Sequence, residues 1–220
     1  MTEPRRRDAL IVIARGRSRR MGSPKGLVTL PGDQRPLLAR VWDLYRRRRW
    51  PAVVVTRPEL AAPYAAVLAA GGAPQVVAET GGGGTARSVF AGWLTLCGAD
   101  EATAALPPTH VWIHPVDLPL VRRDTVARLL AASRRDARLC LRPVHDGIPG
   151  HPVVLAAAQV RRWMASHAGW AGDVRELLAA APPDPPLWHV PVADAGVHED
   201  VDTRADTVRL APEEENDHDA

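Results

Sequence analysis

The chain has 220 residues, of which 46% are hydrophobic and 24% are charged, a composition typical of a globular domain with one core. A net charge of +3 and an aromatic content of 5% give little support to nucleic-acid binding, and no apolar run approaches the roughly 20 residues of a membrane-spanning helix. Cys97 and Cys140 have no metal-ligand partners nearby in the sequence, so we expect buried thiols in a reducing compartment. The expected protein is cytoplasmic, with neither a nucleic-acid nor a membrane partner.

Strand-like and helix-like segments alternate along the chain. Short apolar runs predict strands at residues 9–14, 52–56, 75–78, 110–116, 138–143, 152–156 and 187–192. Helices are predicted at residues 37–49, 60–70, 85–96, 124–133, 159–166 and 173–180, with Asp124 as one N-cap. This alternation predicts an α/β fold with a single doubly wound, mainly parallel sheet. The domain is expected to cover residues 9–210, between an N-terminal tail at 1–8 and a disordered acidic tail at 211–220.

The first predicted strand runs directly into a loop rich in glycine and basic residues. Glycine lets the backbone approach a ligand, backbone amides can point at an anion, and basic side chains neutralise its charge. The loop matches neither G-x-x-x-x-G-K-[ST] nor G-x-G-x-x-G, because its glycines fall at 16, 22 and 26. It predicts a polyphosphate site of another kind, with Lys25 and Arg20 as the catalytic cations. A solvated, arginine-rich surface loop is the alternative.

A carboxylate follows the predicted strand 110–116, in the string His-Pro-Val-Asp-Leu-Pro that ends at Pro119. Ligands of open α/β sheets bind beyond the carboxyl ends of the strands, so Asp117 is expected in the same crevice as the basic loop. One carboxylate there can hold Mg²⁺, which keeps several waters and bridges substrate phosphates. Taken alone, an aspartate in such a D-x-P string is by default a helix-capping or turn residue.

The string A-x-G-x-S-x-R-M-G-x-x-K, which runs from Ala14 to Lys25, resembles the signature loop of the nucleotidyltransferases that make molybdenum-cofactor dinucleotides. That family includes molybdenum cofactor cytidylyltransferase and the guanylyltransferase that makes molybdopterin-guanine dinucleotide. Five similar motifs follow the family's order between about residues 9 and 208. The resemblance implies a Rossmann-like fold, Mg²⁺ as cofactor, and transfer of CMP from CTP to a phosphate of molybdopterin with release of pyrophosphate. A molybdoenzyme or its chaperone would be the protein partner.

The resemblance also implies roles for individual residues. The nucleotide would contact Ala14, Arg15, Gly16, Arg17, Ser18, Lys25, Gly84 and Ser88. Mg²⁺ would be held by Asp117 and Asp202, with Asp200 as a third candidate, and Thr203 would cap a terminal helix. The acceptor would lie against His151, Gly150 and Arg175. Without the resemblance, these segments have simpler interpretations. Residues 198–206 would be an acidic loop, and residues 81–84 would be a glycine run before a helix. For His151, a structural role is about as well supported as a role in binding the acceptor.

Two departures from the family pattern bear on the nucleotide. Arg15 stands where the family has alanine or glycine, and Glu79–Gly84 replaces the usual lead-in to the next helix, so base recognition is expected to differ. Three segments favour the cytidylyl branch, namely 23–25, 150–153 and 200–202, whereas 25–27 leans towards the guanylyl branch. The alternatives are a guanylyltransferase, a nucleotidyltransferase for a sugar or alcohol phosphate, and a catalytically silent homologue that binds a cofactor or partner protein.

Overall fold

The computed structural model describes residues 6–16, 18, 20–69, 74–98, 107–136, 139–167, 169–184 and 186–210. In this part of the chain the strands are β1 (Asp8–Ile13), β2 (Ala52–Thr56), β3 (Gln75–Ala78), β4 (His110–Pro115), β5 (Leu141–His145), β6 (Ile148–Pro149), β7 (Val153–Ala156) and β8 (Trp188–Pro191). The helices are α1 (Leu37–Tyr45), α2 (Pro58–Leu68), α3 (Thr85–Cys97), α4 (Arg123–Ser133), α5 (Ala157–His167), α6 (Val174–Ala180) and α7 (Arg204–Arg209). The predicted tail at 211–220 lies outside the described residues.

The strands form one sheet in the order β3-β2-β1-β4-β7-β5-β6, and β8 pairs with β5. The neighbours β3, β2, β1 and β4 are all parallel, whereas β7 runs antiparallel to both β4 and β5. The predicted fold class, a single and mainly parallel α/β sheet, is therefore confirmed. The chain winds outwards from β1 in both directions, so the loops after β1 and β4 meet at the point where the strand order reverses. Ligands of such sheets bind there.

Both faces of the sheet are covered, which explains why β1 reads as a continuous apolar run. Its six residues are all buried. Ile11 and Ile13 pack in a cluster with α3, α5 and α6, whereas Leu10 and Val12 pack in a second cluster with α1, α2 and α4. Both cysteine side chains are buried, as predicted. No helix in the described ranges is long and apolar enough to span a bilayer.

Several predicted boundaries differ from the observed ones by a few residues, and two of them are informative. The helix predicted at 37–49 ends at Tyr45, and a 3₁₀ turn, Arg46–Arg48, leads to Arg49 in the left-handed region at φ 53°. This tighter turn carries the chain away from the helix before Pro51, which disfavours helical backbone in the residue before it. The tail was predicted to include Asp8, but Asp8 is the first residue of β1.

The prediction that Asp124 caps α4 was also wrong. Arg122 occupies the N-cap position without a side-chain cap bond, and Asp124 lies in the first turn. The buried carboxylate of Asp194 serves this helix end instead, accepting bonds from Arg122 N (2.8 Å) and Thr125 Oγ1 (2.5 Å). Asp194 is 72 residues from Arg122 in sequence, so no local sequence pattern indicates this contact. The local pattern indicated Asp124 instead, because it is the nearest acidic residue.

Two histidines of β4 are almost wholly buried. Burial lowers the pKa of His110 to about 4, with the charge of Arg6 adding to the effect. Burial also lowers the pKa of His114 to about 4, although its bond to Leu118 and the charge of Asp117 oppose the shift. The unfolded chain, in which each pKa returns to near 6.5, binds more protons between these values. The native state is therefore fully stabilised above pH 6.5 and loses stability as pH falls towards 4.

We predict that the free energy of unfolding falls as the pH is lowered from 7 to 4.5, by up to about 1.4 kcal/mol per pH unit for each of these histidines. Urea denaturation at half-unit pH intervals measures the slope. His110→Leu should flatten it by about one proton, since it removes one of the histidines whose pKa is lowered in the folded state. An unchanged slope in that variant would contradict the assignment to His110.

Candidate active site

The crevice at the carboxyl ends of β1 and β4 contains a lysine shared by two carboxylates. Lys25 Nζ lies 2.9 Å from Asp117 Oδ2 and is also hydrogen-bonded to Asp202 Oδ1. The lysine side chain is only 12% exposed, whereas the carboxylates are 29% and 24% exposed. Arg20 binds the other oxygen of Asp202 at 2.6 Å, but it is 72% exposed, so this pair contributes little to stability. Four of the predicted catalytic and metal-site residues are thus brought together.

The loop after β1 is folded so that Lys25 faces this crevice. Ser18, with a positive φ of 48°, directs its hydroxyl towards the backbone N–H of Lys25, which donates to it at 3.0 Å. Gly26 is buried under the ring of Tyr64 from α2, where an added Cβ would lie only 2.8 Å from Tyr64 Cζ. Glycine is therefore required at 26, because any side chain would displace the turn that carries Lys25.

The segment after the 3₁₀ turn Ala195–Val197 delivers Asp202 to the same place. Val201 N donates to Asp117 O at 2.8 Å, and the Val201 side chain packs in a small cluster with Met21 of the basic loop. Thr203 caps α7 in a capping box with Asp206, as predicted. Asp202 N also donates to Asp206 Oδ2. Backbone bonds, apolar packing and a helix cap therefore fix the carboxylate.

Asp117 is positioned by a buried histidine that precedes it on β4. His114 Nε2 lies 2.9 Å from Leu118 O, and His114 Nδ1 lies 2.9 Å from Tyr45 Oη. Because a carbonyl can only accept, Nε2 must carry a proton. The low pKa of His114 keeps the ring neutral, so Nδ1 accepts a hydrogen bond from the Tyr45 hydroxyl. This relay ties the turn that carries Asp117 to α1.

The electrostatics of the crevice favour bound cations. Burial alone would lower the pKa of Lys25, but the charges of Asp117 and Asp202 and their hydrogen bonds outweigh it and raise the pKa above 10.5. Asp200 is close enough to these carboxylates that its pKa is raised, first by burial and then by the charges of Asp202 and Asp117. Lys25 therefore stays protonated at neutral pH, and three acidic groups face the two cations Lys25 and Arg20.

The donor atoms fit a hydrated hard cation better than a closed metal cage. In the described ranges, no three His, Cys, Asp or Glu side chains are arranged to hold a metal ion. Asp117 and Asp202 nevertheless converge on one point, and both offer the carboxylate oxygens that Mg²⁺ and Mn²⁺ prefer. Mg²⁺ needs only one or two carboxylates when water and phosphates complete its shell. The residues present therefore fit such an ion bound together with a phosphate ligand.

A cavity of about 670 Å³ opens between the loops after β1 and β3 and the start of α3. Its lining includes four predicted nucleotide-binding residues, Arg15, Gly16, Gly84 and Ser88. Ser88 is buried, and its hydroxyl has no hydrogen-bond partner, so a polar group is available at the cavity wall. Ala14 is buried beside the cavity, in the cluster that contains Val12. The predicted contact Arg17 lies outside the described residues.

Arg15 is not free in this cavity. Its Nη2 lies 2.7 Å from Glu79 Oε2 and donates a hydrogen bond to Gly81 O. The N–H groups of Arg15 Nη2 are directed for a hydrogen bond to the Gly81 carbonyl and not to Glu79 Oε2. The contact between Arg15 and Glu79 is therefore an ion pair without a hydrogen bond. Glu79 Oε1 accepts from Gly81 N at 2.9 Å and lies 3.3 Å from Arg87 Nη2. Glu79 thus joins the loop after β1 to the loop after β3.

The predicted acceptor residues lie near a half-buried arginine, Arg142, that has no carboxylate partner among the described residues. Gly150 is packed so closely that an added Cβ would be 2.3 Å from Val197 O, and its carbonyl lies 3.4 Å from Arg142 Nη2. Arg142 Nε is buried without a partner, and none of the described carboxylates forms an ion pair with this residue. Burial lowers the pKa of Arg142, and the charge of Arg175 lowers it further. Burial likewise lowers the pKa of His151 to about 3, with the charges of His114 and Arg142 adding to the effect.

Two residues near the site, Glu79 and Arg142, were not among the predicted site residues. Glu79 directly follows β3, so the rule that drew attention to Asp117 applies to it as well. Arg142 interrupts an apolar strand, which is an unusual place for an unpaired charge. A further signal concerns Lys25, which is the only lysine among the 28 lysines and arginines of the chain.

Residues 10–185 match the family of the MobA-like NTP transferase domain. The chain belongs to that family. This match confirms the predicted family and the predicted enzyme class, a nucleotidyltransferase acting on small-molecule nucleotides. Among curated proteins, none matches the chain significantly in sequence.

Solved structures resemble this MobA-like domain over nearly its whole length. Rv0371c from Mycobacterium tuberculosis H37Rv is 23% identical, with 93% of this chain and 96% of that chain covered and a TM-score of 0.68; the same protein has also been solved in complex with manganese, at 21% identity, 91% and 95% coverage and a TM-score of 0.65. Molybdopterin-guanine dinucleotide biosynthesis protein A from Archaeoglobus fulgidus is 19% identical, with 90% and 94% coverage and a TM-score of 0.59. The 4-diphosphocytidyl-2C-methyl-D-erythritol synthase from Anaerococcus prevotii is 14% identical, with 92% and 95% coverage and a TM-score of 0.65. At these identities the likeness shows a shared fold.

We predict that Tyr45→Phe costs about 1–3 kcal/mol of stability, because it leaves the buried Nδ1 of His114 without its donor. Chemical denaturation of the MobA-like domain measures the loss. In a His114→Leu background the same change should cost much less, since the two residues then no longer interact. Equal costs in both backgrounds would contradict the relay.

Proposed function

We propose that this MobA-like domain transfers CMP from CTP to the terminal phosphate of molybdopterin and releases pyrophosphate, with Mg²⁺ as cofactor. The observation that carries the proposal is the shared ammonium of Lys25, which lies between Asp117 and Asp202 at the strand-order reversal. A cation, two hard carboxylates and an adjoining cavity of about 670 Å³ are the parts that in-line attack on the α-phosphorus of a triphosphate needs.

In this proposal, Lys25 serves as the electrostatic catalyst. When the triphosphate binds, the Lys25 ammonium turns from the carboxylates to the α-phosphate oxygens. There it stabilises the negative charge that develops as the bond to pyrophosphate breaks. Arg20, exposed at the edge of the crevice, grips oxygens of the departing β- and γ-phosphates. No residue needs to form a covalent intermediate, because the acceptor phosphate oxygen attacks phosphorus directly.

Asp117 and Asp202 would hold the Mg²⁺ ion, with Asp200 in reach of its water shell. Bound there, the ion would neutralise and align the phosphate oxygens. The carboxylates need a positive charge in exchange when Lys25 turns to the nucleotide, which supports a metal at this position. Manganese bound to the related Rv0371c adds support for a divalent cation.

The acceptor phosphate is proposed to bind to Arg142, beside Arg175 and His151. A half-buried guanidinium whose Nε has no hydrogen-bond partner and which has no carboxylate partner is costly, and an anionic ligand would relieve that cost. Arginine also matches the bidentate geometry of phosphate oxygens. The sequence string from Gly150 to Val153, which is similar to the cytidylyltransferase branch, supports a molybdopterin-type acceptor on this side.

CTP is the proposed donor because the segments 23–25, 150–153 and 200–202 resemble the cytidylyl branch. The experiment that tests the activity measures pyrophosphate release from CTP, GTP and ATP, with molybdopterin as acceptor and with Mg²⁺ present or chelated. We expect Mg²⁺-dependent release with CTP. Release that depends on another nucleotide or a sugar phosphate would replace the proposed substrate, and no release with any pair would overturn the activity.

We predict that Lys25→Ala lowers turnover by at least about 100-fold, because the developing charge on phosphate loses its main stabilising donor. Lys25→Arg should fail similarly, since a planar guanidinium cannot replace the compact ammonium between two carboxylates. Arg35→Ala, which removes an exposed cation outside the crevice, is the control and should retain turnover. Thermal unfolding checks that each variant is folded, and wild-type turnover in folded Lys25→Ala would overturn the assignment.

We further predict that Arg142→Met raises the KM for the acceptor by about tenfold or more, since it removes one charge-assisted phosphate contact. The KM for CTP should stay near the wild-type value, because Arg142 does not line the nucleotide cavity. Steady-state kinetics with each substrate varied in turn separates the two. An equal rise in both values would indicate a structural role instead.

A further inference from the structure

The ion pair of Arg15 and Glu79 crosses the end of the sheet beside the nucleotide cavity. In the strand order β3-β2-β1, Arg15 follows β1 and Glu79 follows β3, so the pair bridges the carboxyl end of β2. The two side chains are only 13% and 12% exposed. Both residues line the cavity, together with the glycines 81–84. The cavity wall at this point is therefore formed by the Arg15 side chain, which is held in place by its ion pair with Glu79.

The arginine is held too firmly to behave as a solvated side chain. Its Nη2 contacts both Glu79 Oε2 and the Gly81 carbonyl, and these contacts come from one rigid turn in which Glu79 Oε1 accepts from Gly81 N. Pulling the guanidinium away would leave a largely buried carboxylate with a weaker set of partners, which is costly. We conclude that Arg15 keeps its volume inside the cavity wall when a ligand enters.

We propose that Arg15, fixed by Glu79, is a specificity-determining residue that narrows the nucleotide cavity against purine bases. This inference rests on the proposed function, because it assumes that the cavity receives a nucleoside triphosphate. A purine carries an additional fused ring, so a long side chain fixed in the wall excludes it more strongly than a pyrimidine. The unpartnered hydroxyl of Ser88 and the glycine backbone remain available to either class of base.

The test is calorimetric titration of the full chain with CTP, UTP, GTP and ATP in the presence of Mg²⁺. Arg15→Ala should raise the ratio of purine to pyrimidine affinity by about tenfold or more, in line with the size discrimination of protein pockets. Arg15→Met, which keeps much of the length but loses the anchor to Glu79, should give a ratio between those of wild type and Arg15→Ala. Arg87→Ala is the matched control, since Arg87 also contacts Glu79 but is 44% exposed and does not line the cavity; its ratio should equal that of wild type.

The possible results separate this inference from the proposed function. An unchanged ratio in Arg15→Ala, with nucleotides still bound, would overturn the role of Arg15 alone. Binding gained only in Arg15→Ala would support exclusion by Arg15 and overturn the proposed activity of the wild-type chain. No binding by either protein would overturn both. Glu79→Gln guards against a folding defect in Arg15→Ala, because it keeps the arginine, weakens its anchor, and should shift the ratio in the same direction.

Discussion

The structure depends on bringing one lysine and two aspartates together from distant parts of the chain. Asp117 and Asp202 are separated from Lys25 by 92 and 177 residues. Each is fixed by its own device: a glycine turn under Tyr64 for Lys25, the His114 relay for Asp117, and the Thr203 cap for Asp202. One ammonium cannot neutralise two carboxylates, and Asp200 adds a third acidic group. Even with Arg20 paired to Asp202, the acidic groups outnumber the cations. A divalent cation bound at these carboxylates would offset the excess negative charge and would allow an anionic polyphosphate to approach them.

The two sides of this crevice use arginine in opposite ways. Arg15 is paired with Glu79, so its charge is satisfied and its main contribution to the cavity is volume and shape. Arg142 is enclosed without a carboxylate, and the nearby Arg175 makes its charge less favourable still. An arginine without a carboxylate partner can bind an anionic ligand, whereas an arginine that is already paired with a carboxylate contributes only its volume to the cavity wall. In the proposed function, the same residue type would therefore serve nucleotide selection on one side and acceptor binding on the other, depending on whether it has a carboxylate partner.

Most of the fold and the centre of the site could be predicted from the sequence, because their signals are local. A few neighbouring residues are enough to predict each of three features: the apolar run at 9–13, the glycine-rich loop and the Asp117 turn. Apart from a few element boundaries, the errors concern partners that are distant in sequence. Asp194 serves the start of α4 from another part of the chain, and Glu79 restrains Arg15 across an intervening strand. No periodicity or spacing records such pairings, since they exist only after the sheet has ordered the loops.

The choice of lysine at position 25 is itself informative, because every other basic residue of this chain is an arginine. A guanidinium would meet one carboxylate with two parallel hydrogen bonds and hold it in a fixed plane. An ammonium donates three hydrogen bonds in different directions from a flexible stem. It can therefore contact Asp117 and Asp202 at once and still rotate towards a phosphate. A residue that changes partners in the proposed reaction needs that freedom, whereas Arg15 is held between Glu79 and the Gly81 carbonyl. The composition of the chain thus indicates which cation the chemistry requires to move.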